Sequence, residues 1–420
     1  MRKIFVALFV ILGFTMLFLG FAGAVVKAEA ADSNSWASKS RMPTERFGLG
    51  AADANGLVYA IGGTHYAIIN GVSTPAPTSA NEAYDPTTDT WRTKTPLPTP
   101  ITNFGIATYQ NKIYCIGGTT NEVYDPEKDV WQLLTPMITP RTDLQANAVG
   151  GKIYLIGGNN ATTVGPSQIS NLNEVYDPTT DAWTTKSPLP SAVSDYASTI
   201  VNGRIYIISG RSQSGLSDAV QVYDPQSDSW SNIASIPTPV QGAAASLIPD
   251  TYSETNANGV QSTQALFVIG GTIQSDPIHA TNLTQVYSPQ TNIWTNGTSI
   301  LYPESELAAV SMNTTIFAIG GGQNAFFNPQ SNLNQQYGPN ITQNLSNSLP
   351  TLTPVALATL APSPTPTPSI TAPPLSFSPS SNPSPSIPEL PSVMVLLSLV
   401  VAATVILGLR HMSSKNKNQG

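Results

Sequence analysis

The sequence is short of charge. Only 10% of its 420 residues are Asp, Glu, Lys or Arg, and the formal balance is −7. No Lys/Arg cluster lies inside the central part, so the basic footprint that nucleic-acid binding needs is missing. There is one cysteine, which rules out an intrachain disulfide framework. Cys115 sits in the apolar run KIYCIGG and reads as a small buried hydrophobe. The three histidines, His65, His279 and His411, have no cysteine partner, so neither metal nor cofactor is expected. No glycine-rich loop opens a helix to cradle phosphate, and no motif marks a Ser-His-Asp arrangement. The chain leans to a non-catalytic role.

Long apolar runs occur only at the two ends. At the start, Arg2 and Lys3 precede a run from Ile4 to Val26, and Ala28-Glu29-Ala30 fits a small-x-small cleavage site. Residues 1–30 are therefore expected to be a signal peptide or signal anchor. Near the other end, Val393 to Leu409 carries no charge and reaches about 26 Å at ~1.5 Å per residue, close to a hydrocarbon core of about 30 Å. Arg410, Lys415 and Lys417 follow it, and the positive-inside rule puts that tail in the cytoplasm. The expected order is a folded body over 31–344, a Pro/Ser/Thr-rich stalk over 345–390, a transmembrane helix over 391–410 and a short basic tail over 411–420. Pro, Ser and Thr at the stalk's density cannot bury a core and favour polyproline II. The IPELP before the span is similar to C-terminal sorting signals of the Pro-Glu-Phe/Pro-Glu-Pro type, with Leu in the third place. Both ends place the body outside the cell.

What is abundant is repetition. EAYDPTTDTW, EVYDPEKDVW, EVYDPTTDAW, QVYDPQSDSW and QVYSPQTNIW are five copies of one phrase. Each follows an apolar, β-branched run ending in a glycine pair, LVYAIGG, KIYCIGG, KIYLIGG, RIYIISG (with Ser209 for the first glycine) and ALFVIGG, and a sixth such run, TIFAIGG, comes after the last phrase. Such runs are strands. Many are entered through turns such as Asn55-Gly56, Gly150-Gly151 and Asn202-Gly203, which suit type I′ hairpins. Asp-Pro then opens a tight turn, and the Trp begins a further strand. Four strands per period make a propeller blade.

A glycine pair, then Tyr-Asp-Pro, then Trp resembles the kelch family over about Trp36 to Asn334. The glycine series is Gly62-Gly63, Gly117-Gly118, Gly157-Gly158, Ser209-Gly210, Gly270-Gly271 and Gly320-Gly321. The tryptophan series is Trp36, Trp91, Trp131, Trp183, Trp230 and Trp294. The two are offset by one, and the sixth phrase is reduced to FFNPQSN. The expected fold is an all-β, six-bladed propeller whose last blade is closed by the N-terminal strand around Trp36, leaving no open edge. The repeated Tyr, Trp and Gly positions are then committed to packing, and function falls to the loops.

With strands named a to d from the axis outward, the b–c loops vary greatly in length. They share a face with the interblade d–a loops. Where the chain enters strand a stand Arg46, Ile101, Arg141, Val193, Val240 and Glu304. Two residues later stand Gly48, Asn103, Asp143, Asp195, Gly242 and Glu306. In so uncharged a chain this ring is notable, and Arg46, Asn103, Arg141, Asp143, Asp195, Glu304 and Glu306 are the candidate binding residues. One expectation is that these charges satisfy one another. The other is a polar pocket in which Arg46 or Arg141 holds a carboxylate while the acids contact hydroxyls or a cation.

The leading reading is a surface-anchored binding module for a protein or cell-surface glycan. One alternative is a carbohydrate-active enzyme resembling the six-bladed kelch class that epimerises or mutarotates sialic acids, which would need an acid/base pair and a carboxylate anchor, here Glu304 or Glu306 with Arg46 or Arg141. The other is a structural envelope component. Copper-oxidase chemistry of the galactose-oxidase kind lacks its ligands. Asn160, Asn282, Asn296, Asn313, Asn340 and Asn344 are glycosylation candidates.

Overall fold

The computed structural model describes residues 35–69, 72–160, 168–248, 264–273, 279–323 and 331–338. The expected leader, stalk, span and tail, together with Asn340 and Asn344, lie outside the described residues. Those residues hold strands and turns and no helix, hence none long and apolar enough to cross a membrane.

Six antiparallel four-stranded sheets follow one another along the chain. Blade 1 is Gly50–Ala54, Leu57–Ile61, Asn81–Asp85 and Thr90–Thr93. Blade 2 is Gly105–Tyr109, Lys112–Gly117, Thr120–Asp125 and Val130–Leu133; blade 3 is Ala146–Val149, Lys152–Ile156, Asn173–Asp177 and Ala182–Lys186. Blade 4 is Ala197–Val201, Arg204–Ile208, Val220–Asp224 and Ser229–Asn232; blade 5 is Ala244–Ile248, Ala265–Ile269, Thr284–Ser288 and Ile293–Asn296. Blade 6 takes Ala308–Met312, Thr315–Ile319 and Asn334–Gly338 from one end of the propeller and Ser35–Ser38 from the other.

The closure occurs where the offset of the two motif series places it. Ser35 pairs with Gly338 and Trp36 with Tyr337, with their rings 5.2 Å apart. The Trp36 indole N–H also donates to the Thr298 carbonyl at 2.9 Å, tying blade 6 to blade 5. Asn55 and Gly56 both have positive φ, as do Gly150 with Gly151 and Asn202 with Gly203, which is the type I′ geometry.

Within each blade the strand c tyrosine stacks on the strand d tryptophan, with ring centroids 5.1 Å apart for Tyr84 and Trp91 and 5.0 Å for Tyr223 and Trp230. The same phrase also joins neighbouring blades. Asp89 accepts the Ser40 backbone N–H at 2.8 Å, while the Trp91 indole donates to the Ser40 carbonyl at 2.7 Å. Thr95 is clasped likewise by Asp129 and Trp131, Thr135 by Asp181 and Trp183, and Ser187 by Asp228 and Trp230. Each tyrosine hydroxyl donates to that same Asp, Tyr176 to Asp181 at 2.7 Å for example. The Asp before the tryptophan is thus a third member of the motif, held at positive φ (53° for Asp89) where Asp and Asn are tolerated.

The glycine pair turns the chain against the next interblade loop. A Cβ on Gly157 would lie 2.5 Å from the Val193 carbonyl. Blade 4 has Ser209 at that place, also at positive φ (59°). Its hydroxyl donates toward the Ser217 and Val240 carbonyls and accepts the Val240 N–H at 2.8 Å, so the side chain is used rather than excluded.

Candidate binding site at the axial mouth

At the face carrying the b–c and d–a loops, one residue from each blade meets the axis. The Asn103 N–H donates to the Gly48 carbonyl, Asp143 to Asn103, Asp195 to Asp143, Gly242 to Asp195, Glu306 to Gly242, and Gly48 back to Glu306, at 2.7–3.0 Å. Six backbone hydrogen bonds therefore close a girdle around the axis. All six residues sit at positive φ, from 51° at Asn103 to 62° at Gly242. Gly, Asn and Asp enter that region at low cost, and Glu306 is the exception. The ring positions were legible in the sequence; the girdle was not, although five of its six residue types favour the left-handed conformation.

The girdle surrounds a cavity of about 50 Å³ with Asn103, Asp143, Asp195 and Glu306 among its lining residues. That is room for a few water-sized groups. The Asp143 carboxylate is held by Asn103 Nδ2 at 2.8 Å, Asn159 Nδ2 at 2.7 Å and the Thr142 hydroxyl at 3.2 Å. Burial, followed by repulsion from Asp143, pushes Glu306 up to about 7. Burial also pushes Asp195 well above the usual carboxylate range, with Asp143 and Glu306 adding to the effect and Arg211 opposing it. Oε2 of Glu306 is shut off from solvent and meets no hydrogen-bond donor.

The remaining three candidates are not at this cavity. Arg46 is fully buried inside blade 1, where Nη1 meets Glu82 Oε2 at 2.7 Å and Nη2 the Ala60 carbonyl at 2.8 Å. Arg141 repeats the pattern with Glu174 at 2.8 Å and the Leu155 carbonyl at 3.2 Å. The expectation that either arginine anchors a ligand carboxylate at the mouth gives way to mutual satisfaction within the blade. Glu304 occupies the arginine position of blade 6 and is fully buried with only a loose contact from the Ser331 side chain; burial raises it to about 8, against that contact. Ile101 takes that position in blade 2, leaving Glu122 buried with no cation and only loose contacts from Thr99. Sequence reasoning missed the strand c partners Glu82 and Glu174, although Glu82, Glu122 and Glu174 all stand two residues before the motif tyrosine.

A second, separate cavity of about 470 Å³ lies further along the strand a residues and is lined mostly by small ones such as Ala52, Ala107, Thr108, Ala148 and Ser198. His65 and His279 lie on the loop face in blades 1 and 5, and no cluster of three His, Cys, Asp or Glu side chains fit to hold a metal ion occurs among the described residues. Asn282, Asn296 and Asn313 are exposed and Asn160 is half-buried.

The loop face also carries ordered ribbons. Thr64–Ile69 pairs with Val72–Pro77 in blade 1, and Arg211–Ser212 with Gly215–Leu216 in blade 4. Tyr66 lies against Phe47 with centroids 6.1 Å apart, while Ile68 is 72% exposed and Val72 63%.

Comparison with known proteins agrees with this geometry. The Kelch motif matches residues 45–98, 100–138, 140–190 and 192–237. Kelch-like protein 35 of Mus musculus is 28% identical over 184 residues, covering 44% of this chain and 30% of that protein. Kelch-like ECH-associated protein 1A of Danio rerio is 30% identical over 86 residues, covering 20% of this chain and 14% of that one. The chain thus spans under a third of the length of these relatives. The solved structure of YjhT shares 15% identity, with a TM-score of 0.54 over 71% of this chain and 96% of that one, and so supports the fold alone. The motif matches stop at residue 237, yet blades 5 and 6 keep the strand order and the Tyr287–Trp294 and Trp36–Tyr337 stacks. This chain carries kelch repeats over residues 45–237 and folds as a six-bladed β-propeller.

Proposed function

We propose that the chain is a surface-anchored, non-catalytic module that binds a protein partner through the face carrying the b–c and d–a loops. The observation that carries this reading is the asymmetry of the two faces. Ribbons and the axial mouth lie on one, and the described turns on the other are mostly short hairpins. The chain enters the propeller at Ser35 and leaves at Gly338, paired neighbours on the trimmed face. A tether attached there leaves the loop face free. A protein partner suits this face better than an acidic sugar, because Arg46 and Arg141 are spent on Glu82 and Glu174. Exposed Ile68 and Val72 on a projecting ribbon offer apolar contact.

The test is capture of cell-surface proteins by the full-length chain, beside a variant whose Thr64–Pro77 ribbon is cut to the short turn of blade 2. A partner retained by the parent and lost by the variant is the expected result. Equal retention by both, or retention of a purified glycan instead, would refute the reading. Protease accessibility of the propeller on intact cells checks the surface location.

A further inference from the structure

We propose that the axial mouth receives a positively charged side chain, lysine or arginine, presented by the partner that docks on the loop face. This deepens the reading above and rests on it.

The argument starts from what the mouth offers a ligand. Its six backbone N–H groups and the matching carbonyls are consumed in the girdle, so no main-chain donor is left to meet an anion. The Asn103 amide is turned to Asp143 at 2.8 Å. What remains is acceptor chemistry from Asp143, Asp195 and Glu306, three carboxyl groups around one small cavity. Oε2 of Glu306 is closed off from solvent without any donor, an unpaid desolvation that a bound N–H would relieve. The one cation that bears on Asp195 is Arg211, exposed in the blade 4 ribbon.

The same geometry selects the kind of cation. Among the described residues no three acidic, His or Cys side chains are arranged to hold one metal ion. An ammonium or guanidinium group suits this arrangement, because it spreads three to five donors over separated acceptors. The cavity's volume of about 50 Å³ matches one such head group rather than a whole small molecule. The ring residues are half-buried, so the cavity is open to solvent.

Entry of the cation has a proton cost. Burial and the neighbouring Asp143 hold Glu306 and Asp195 above the ordinary carboxylate range. A protonated carboxyl must release its proton to solvent as the ammonium takes its place. Binding therefore strengthens as pH rises through about 7.

The test is calorimetric titration of the full-length chain with N-acetyl-lysine-methylamide, using N-acetyl-norleucine-methylamide as the uncharged isostere. The lysine probe should bind and the norleucine probe should not, with tighter binding at pH 8 than at pH 6. Glu306→Gln with Asp195→Asn should weaken the lysine probe by about tenfold or more, the scale of one charge-assisted hydrogen bond. Exposed Glu45→Gln should leave it unchanged. If the double variant fails to fold by circular dichroism, Glu306→Gln alone serves. Equal binding of the two probes, or lysine binding indifferent to the variants, overturns the proposal. So does calcium chloride binding that the variants abolish while the lysine probe fails, since the mouth would then be an inorganic-ion site. If the lysine probe fails while ribbon-dependent capture persists, this inference falls and the protein-binding reading stands.

Discussion

Replacing Glu122 with Gln should stabilise the propeller, even though blades 1 and 3 depend on a glutamate at the same place. In those blades Glu82 and Glu174 meet Arg46 and Arg141 at 2.7 and 2.8 Å. In blade 2 the arginine is Ile101, and the buried Glu122 carboxylate has only Thr99 beside it, in contacts too loose to count as full hydrogen bonds. Burial raises this carboxyl, and Thr99 offsets the effect only in part. Blades 4 and 5 carry Gln instead. Gln221 bridges the Ser191 N–H and carbonyl at 2.8 and 2.9 Å, and Gln285 does the same with Thr238 at 2.9 and 2.9 Å. A Gln at 122 has Thr99 in the equivalent place. Two hydrogen bonds at about 0.5–1.5 kcal/mol each predict a gain of about 1–3 kcal/mol. For a domain this large that is a few degrees in Tm. The pH dependence follows from the direction of the shift. The folded carboxyl titrates above the unfolded one, so the parent is least penalised in acid and loses stability as pH rises towards its folded pKa. The advantage of Gln should therefore be smaller near pH 4 than near pH 8. Glu82→Gln is the opposing control, because it strands a buried guanidinium and should cost about 3–5 kcal/mol. Thermal and denaturant unfolding of the two variants at both pH values decides the matter. A neutral or destabilising Glu122→Gln at pH 8, or a gain that ignores pH, would refute the reasoning.

Two further outcomes are expected. Trp36→Ala should cost about 3–5 kcal/mol, as for a buried aromatic, because it removes the stack on Tyr337 and the bond to Thr298 that close the ring. Melting within about 0.5 kcal/mol of the parent, the range of an ordinary surface change, would contradict that closure. Cys115 is fully buried and its thiol is pushed well up by that burial. It should react with a maleimide only at denaturant concentrations that unfold the propeller, and rapid labelling of the native chain would refute its placement.

The sequence by itself determined the blade and the ring. Strand, glycine turn, Asp-Pro corner and Trp are local features set by φ preference, alternation and chain spacing, and each recurs in order. Even the closure was legible, because an offset between two repeat series has one simple geometric meaning, and Trp36 lies against Tyr337 as that meaning requires. The role of Asp89 and its equivalents was not legible, because their partners lie in the preceding blade, 49 residues away for Ser40. The candidate site divided for the same reason. Arg46 and Asp143 belong to one aligned loop pattern, yet the arginine position turns into the blade toward Glu82, while the position two residues on turns to the axis. Periodicity along the chain does not say which way a loop residue faces around a closed ring. Only the radial packing of six blades sends the arginines inward to strand c and gathers three acids, from blades 3, 4 and 6, at one mouth.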